Sequence, residues 1–318
     1  MRSHGTQSIR LIDADSGASL GASVGAYVRL LACILFIGMS LSACALRQPD
    51  AEALRTQAFS IAKDSGLTWS THSAPGFDFA IATRITPGSE RIHVYVEGDG
   101  NAFRTRRRVS SDPTPRNPVA LRLLASDPHD SVIYVGRPCQ YLAPERLDRC
   151  GPQFWTTSRY ADSVVKAMDN ALDNITALTG AQYPSLGLIG YSGGGTLAAL
   201  LAARRADVEW LVTVAANLDH EAWVKWHRVT RLAGSITPVD NADALAALRQ
   251  LHLLGARDNI VPPELARNFI ASLQTRSEPG MIQMRVVPEF DHGCCWPEIW
   301  PQPLQWLSPP KEIIPLQR

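Results

Sequence analysis

Residues 186–204 read LGLIGYSGGGTLAALLAAR. A short apolar run containing Leu186, Leu188 and Ile189 ends at Gly190-Tyr191-Ser192-Gly193-Gly194, and an alanine- and leucine-rich segment of helical length follows at once. A strand, a tight turn and a helix are the context that gives a G-x-S-x-G motif its meaning. The turn is sharp enough to hold its serine in a strained conformation, so the flanking positions need room that Gly190 and Gly194 provide. It lifts the Ser192 hydroxyl above the sheet edge and aims the first N–H groups of the helix at the same spot. The competing reading is a glycine-rich turn with a bystander serine. The strand and helix on either side favour a functional serine.

The rest of the chain bounds what that serine serves. With 318 residues and 45% hydrophobic content, there is enough material for one large α/β domain. A formal net charge of +1 gives no reason to expect a nucleic-acid partner. No internal repeat or long low-complexity tract is visible.

Residues 28–44 read VRLLACILFIGMSLSAC. One basic residue, Arg29, precedes an apolar core that is too short to span a bilayer comfortably, and small residues then lead to a cysteine. Leu41-Ser42-Ala43-Cys44 resembles the bacterial lipobox. That resemblance implies removal of residues 1–43 and a diacylglyceryl group on Cys44. Ala45 and Leu46 follow instead of Asp, which implies outer-membrane sorting and a domain facing the periplasm. The alternative is an ordinary signal peptide with an incidental cysteine. Residues 1–26 are longer and more mixed than a leader needs, so the true start is expected nearer residue 28. Residues 44–64 are read as tether and N-terminal segment, and 65–318 as the domain.

Of six cysteines, Cys33 falls in the leader and Cys44 at the lipid site. The remaining four, Cys139, Cys150, Cys294 and Cys295, suit an oxidising compartment. Cys139–Cys150 is the favoured pair, leaving Cys294 and Cys295 free or in a vicinal bridge; crosswise pairing is the alternative. No second His or Cys pair stands at zinc-ligand spacing, so no metal site and no organic cofactor are expected.

Along the domain, strands are expected at 67–70, 77–83, 92–96, 132–135, 186–192, 210–214, 252–254 and 284–287. The clearest helix is 158–178, whose apolar residues recur every three or four positions, and others are expected at 193–204, 241–249 and 262–273. Residues 218–238, rich in Trp and His, read as irregular. Apolar strands alternating with helices point to a mostly parallel sheet covered on both faces.

A serine hydroxyl needs a base, and the base needs an orienting carboxylate. Asp258, in GARDNIVP, and His292, in DHG, each follow an expected strand, so both reach the same sheet edge as Ser192. Asp219 and Asp240 are the rival acids, and His220, His227 and His252 the rival bases. His252 is set aside as opening a strand at the opposite edge. The order Ser, Asp, His on strand–helix units resembles the α/β-hydrolase superfamily over residues 65–307. The resemblance implies Ser192 as nucleophile, His292 as general base and then acid, and Asp258 as the orienting acid. It also implies an oxyanion hole from the N–H of Gly193 and one in the loop after the third strand. There Glu97-Gly98-Asp99-Gly100 departs from the usual His-Gly, and Asp99 is chosen as the donor.

Gly98, Gly100, Tyr191 and Arg137 are read as bordering the substrate, with Tyr141 beside them. Trp223 and Trp226 are read as lining a short cap over a fairly open site, while Trp296 and Trp300 are read as packing. Arg104, Arg106, Arg107 and Arg108 are read as a solvated loop, with attraction of an anionic substrate or lipid headgroups as the alternative. The expected protein is a lipid-anchored serine hydrolase of the cell envelope that cleaves an ester or related acyl bond. An acyltransferase using the same triad and a non-catalytic binding lipoprotein are the alternatives.

Overall fold

Eight strands lie side by side in one sheet: β1 (Thr68–Ala74), β2 (Phe77–Arg84), β3 (Arg91–Val96), β4 (Val132–Val135), β5 (Ser185–Tyr191), β6 (Val208–Val214), β7 (Arg249–Gly255) and β8 (Ile282–Val287). Their order is β1-β2-β4-β3-β5-β6-β7-β8. All neighbours from β4 to β8 run parallel, and β2 is antiparallel to both β1 and β4. The computed structural model describes residues 50–307. The expected leader, lipid-bearing Cys44 and the first residues of the tether lie outside the described residues. Among the described residues no helix is long and apolar enough to cross a membrane.

The apolar runs of the central strands put side chains into two cores. Val94 and Val96 of β3 face one core and Tyr95 the other. In β5, Leu186 and Leu188 divide in the same way from Ile189 and Tyr191. Helices on both faces close these layers, as a sheet buried on both sides requires. One of them, α1 (Ala51–Asp64), starts at Asp50, whose carboxylate accepts from the Ala53 N–H at 2.8 Å, and it buries Leu54, Ala58 and Ala62. The segment that sequence joins to the tether therefore contributes to the packed core of the described residues.

α-Helices appear where sequence patterning showed none, and among the described residues two of them exceed four residues. They are α2 (Val119–Ala125), almost wholly buried, and α5 (His220–His227), inside the stretch read as irregular. The long helix is shorter than its periodicity suggests: α3 spans Asp162–Thr176. Residues 158–160 stay out because their backbone is used elsewhere. The Tyr160 N–H donates to Ser235 Oγ at 3.1 Å, and the Arg159 carbonyl accepts from Arg137.

The chain passes from β3 to β4 on one side and returns to β5 on the other. Loops leaving β3 and β5 thus diverge, and the crevice between them is where open α/β sheets bind ligands.

Candidate active site

Ser192 stands between β5 and helix α4 (Gly193–Ala202) with φ 51° and ψ −124°, a left-handed conformation costly to a residue with a side chain. The flanking glycines are obligatory. A Cβ on Gly194 would lie 2.2 Å from the Val96 carbonyl oxygen, and one on Gly190 2.4 Å from that of Gly194. Contact between the elbow and the end of β3 therefore holds the serine above the crevice.

The loops after β7 and β8 bring its partners. His292 Nε2 lies 2.9 Å from Ser192 Oγ, and His292 Nδ1 lies 2.8 Å from Asp258 Oδ2. The Asp258 side chain is fully buried, and its other oxygen accepts the Ile260 and Val261 N–H groups at 2.8 Å each. One carboxylate thus shapes its own turn and faces the imidazole. With Nδ1–H donating to the carboxylate, Nε2 is left to accept the serine proton. The His292 carbonyl is fixed by the Tyr191 hydroxyl and the Trp296 indole, each donating at 3.0 Å.

The rival residues lie elsewhere. Asp219 caps α5 by accepting from the Ala222 N–H at 2.9 Å, and His227 Nε2 contacts the Ile260 carbonyl at 2.9 Å. His252 lies inside β7 instead of opening it, buried and 2.8 Å from Thr213 Oγ1. Burial pushes its pKa down to about 3.

The loop after β3 carries two carboxyls with opposite fates. Glu97 is fully buried; its carboxyl accepts from the Gly98 N–H at 2.9 Å and the Tyr134 hydroxyl at 3.2 Å. Burial pushes it up to about 7, and these hydrogen bonds only partly oppose the shift. Burial acts on Asp99 in the same sense, but the charges of Arg159 and Arg137 outweigh it and hold the carboxyl at about 2. Arg159 meets Asp99 at 2.7 Å, Arg137 pairs with its other oxygen, and the Tyr160 hydroxyl donates at 3.1 Å.

This cluster corrects the reading of Arg137. Its side chain is 3% exposed, lies over the Tyr160 ring and does not reach the cleft. It positions the Asp99 loop instead of meeting substrate. Tyr141 likewise turns into the core, where its ring packs against Trp69 and Tyr134. The N–H groups of Gly193 and Asp99 have no acceptor among the described residues, whereas that of Gly98 is spent on Glu97.

A cavity of about 420 Å³ opens over Ser192 and His292, lined also by Gly98, Asp99, Gly100 and Tyr191. Trp223 of α5 borders it, its indole donating to the Ile260 carbonyl at 2.7 Å, while Trp226 is exposed. Sequence reading missed Asn101, Phe103, Arg159 and Ile260 in this wall. Of these only Ile260 carries a signal in the sequence, since it sits in the turn that the acid itself shapes. The sulfurs of Cys139 and Cys150 are within bonding distance, as are those of Cys294 and Cys295 immediately after the DHG turn. Crosswise pairing is thereby set aside.

Known proteins agree on the fold. The family model described as Serine hydrolase (FSH1) matches residues 144–285, which include Ser192 and Asp258 and stop short of His292. Among solved structures, an acylaminoacyl peptidase of Pyrococcus horikoshii superposes with a TM-score of 0.53 at 12% identity, over 71% of this chain and 37% of that one. This chain therefore spans little more than a third of that peptidase. Est1E from Butyrivibrio proteoclasticus gives 0.52 at 12% identity, over 73% of this chain and 93% of its own. An esterase of Pyrococcus furiosus gives 0.50 at 11% identity, over 77% and 89%. No curated protein matches by sequence. Sheet order and these superpositions give the chain the α/β-hydrolase fold, and the part of it that carries Ser192 and Asp258 is similar to the serine-hydrolase family model.

Proposed function

We propose that this protein is a serine hydrolase that cleaves carboxylic esters through an acyl-enzyme on Ser192. The observation that carries the reading is the unbroken path from Ser192 Oγ through the His292 ring to a buried carboxylate, with steps of 2.9 and 2.8 Å. Ser192 Oγ attacks the ester carbonyl carbon while His292 Nε2 takes its proton. The carbonyl oxygen becomes an oxyanion held by the N–H groups of Gly193 and Asp99. Collapse expels the alcohol, which receives the proton from His292, and leaves the acyl group on Ser192. Water then attacks, His292 takes and returns its proton, and the carboxylic acid departs with the serine restored. Asp258, 2.8 Å from His292 Nδ1, holds the imidazole in its tautomer. Glu97, with its pKa raised to about 7, is only about half ionised at neutral pH, which reduces the negative charge near the forming oxyanion.

The reading extends to location. The Leu41–Cys44 lipobox supports export and a diacylglyceryl anchor on Cys44, with the domain at the outer membrane facing the periplasm. Its substrate is a small or lipid-like acyl ester. The test is hydrolysis of 4-nitrophenyl butyrate. Ser192→Ala is expected to lose at least about a thousandfold in kcat. An alanine variant as fast as wild type overturns the reading.

A further inference from the structure

We infer that the substrate of this hydrolase is an anionic amphiphile: an ester with a negatively charged group beyond an apolar limb. The inference rests on the ester-hydrolase reading and deepens it. A second cavity, of about 740 Å³, adjoins the one over Ser192. The two share Phe103, Arg159, Trp223 and Ile260 as a common wall, so a molecule seated at the serine continues past Trp223 into the larger space.

The charge of that space is one-sided. Arg106, Arg107, Arg159 and Arg228 line it, and no carboxylate does. Arg159 is already committed to Asp99. Arg106, Arg107 and Arg228 are exposed, and their guanidinium groups have no partner among the described residues. They come from separate parts of the chain. Arg106 and Arg107 form the turn between the short strands Phe103–Thr105 and Arg108–Val109. Arg228 ends α5 in a left-handed conformation, φ 52°, where glycine or asparagine is usual. Between these cations and the serine stand Phe103, Trp223 and Ile260 beside the already paired Arg159, and Val229 and Leu232 add apolar surface to the larger space among threonines and His227.

An uncharged chain would fill the apolar part and leave three unpaired guanidinium groups at its end. A carboxylate, sulfonate or phosphate on that end meets them through charge-assisted hydrogen bonds, which Arg forms with particular geometric fit. The same chemistry exists on an anionic lipid surface. The four wall residues that this cavity shares with the one over Ser192 assign it to the substrate.

Two matched pairs of esters test this on the purified full chain. Mono-4-nitrophenyl suberate against 4-nitrophenyl octanoate places the charge on the acyl side. 4-Carboxyphenyl octanoate against 4-carbamoylphenyl octanoate places it on the alcohol side. In at least one pair the anionic ester is expected to have the higher kcat/KM by about tenfold, the discrimination one charge-assisted hydrogen bond provides. That ratio is expected to fall towards one in the combined Arg106→Gln, Arg107→Gln, Arg228→Gln variant, and also as salt is raised from about 20 to about 500 mM. Ratios near or below one in both pairs overturn the inference while leaving the hydrolase intact, as does a ratio that the triple variant retains. A triple variant that loses binding to phosphatidylglycerol vesicles but keeps its ester ratio assigns the arginines to a lipid surface and also overturns it. Turnover of none of the four esters removes the underlying ester-hydrolase reading.

Discussion

Replacing Glu97 by glutamine isolates the energetic effect of a buried acid beside the nucleophile. The carboxyl is fully buried, and its pKa rises from the ordinary 4.5 to about 7 on folding. Below pH 4.5 it is protonated in both folded and unfolded chains and makes no difference to stability. As the pH rises to 7 the unfolded chain ionises while the folded chain resists, so stability falls over that window and stays reduced above it. The size is (7 − 4.5) × 1.36, about 3 kcal/mol. The amide of the Glu97→Gln variant keeps a carbonyl oxygen for the Gly98 N–H and does not titrate. The variant is therefore expected to gain about 3 kcal/mol on wild type between pH 4 and pH 8, corresponding to roughly 6–12 °C in Tm for a domain of this size. Guanidinium unfolding at both pH values reads the difference directly. A Glu97→Gln effect that is equal at the two pH values, or larger in acid, refutes the reasoning.

Other substitutions probe other links. Asp258→Asn keeps an oxygen for the Ile260 and Val261 N–H groups but loses the charge facing His292. It is expected to lower kcat by about three to four orders of magnitude with KM little changed, measured on 4-nitrophenyl butyrate. Gly194→Ala forces a Cβ to 2.2 Å from the Val96 carbonyl and is expected to cost about 3 kcal/mol or more in unfolding experiments. Gly293→Ala, with nothing within 4 Å of the new Cβ, should stay within about 0.5 kcal/mol of wild type. Removing the Cys139–Cys150 link as a double alanine variant opens a loop of sequence separation 11 and is expected to lose about 2–3 kcal/mol in denaturant. Cys44→Ser is expected to abolish lipid labelling and release the protein from the membrane fraction; retention without lipid contradicts the anchor.

Sequence made the sheet and its catalytic rim legible because their signals are local. Ser192, Asp258 and His292 each follow an apolar run, and parallel strands deliver such residues to one edge whatever the intervening loops do. Side-chain direction is not a local property. Arg137 also follows a strand, yet Asp99 and the Arg159 carbonyl draw it inward, and only the folded loop shows that. The helix Val119–Ala125 escaped because it is buried nearly all round and has no polar face to mark a period. The helix His220–His227 escaped because Trp and His blur its pattern, and its cap, Asp219, read instead as a rival acid. The cleft beyond Trp223 brings together residues near 106, 159 and 228, and no spacing in the chain reveals that meeting.

The most direct test of the account is covalent trapping of the nucleophile. Purified protein treated with a fluorophosphonate should carry one adduct per chain, located by mass spectrometry on the peptide containing Ser192, and His292→Ala should slow its formation by orders of magnitude. An adduct on another serine, or equal labelling of wild type and the histidine variant, would contradict an alcohol activated by that imidazole.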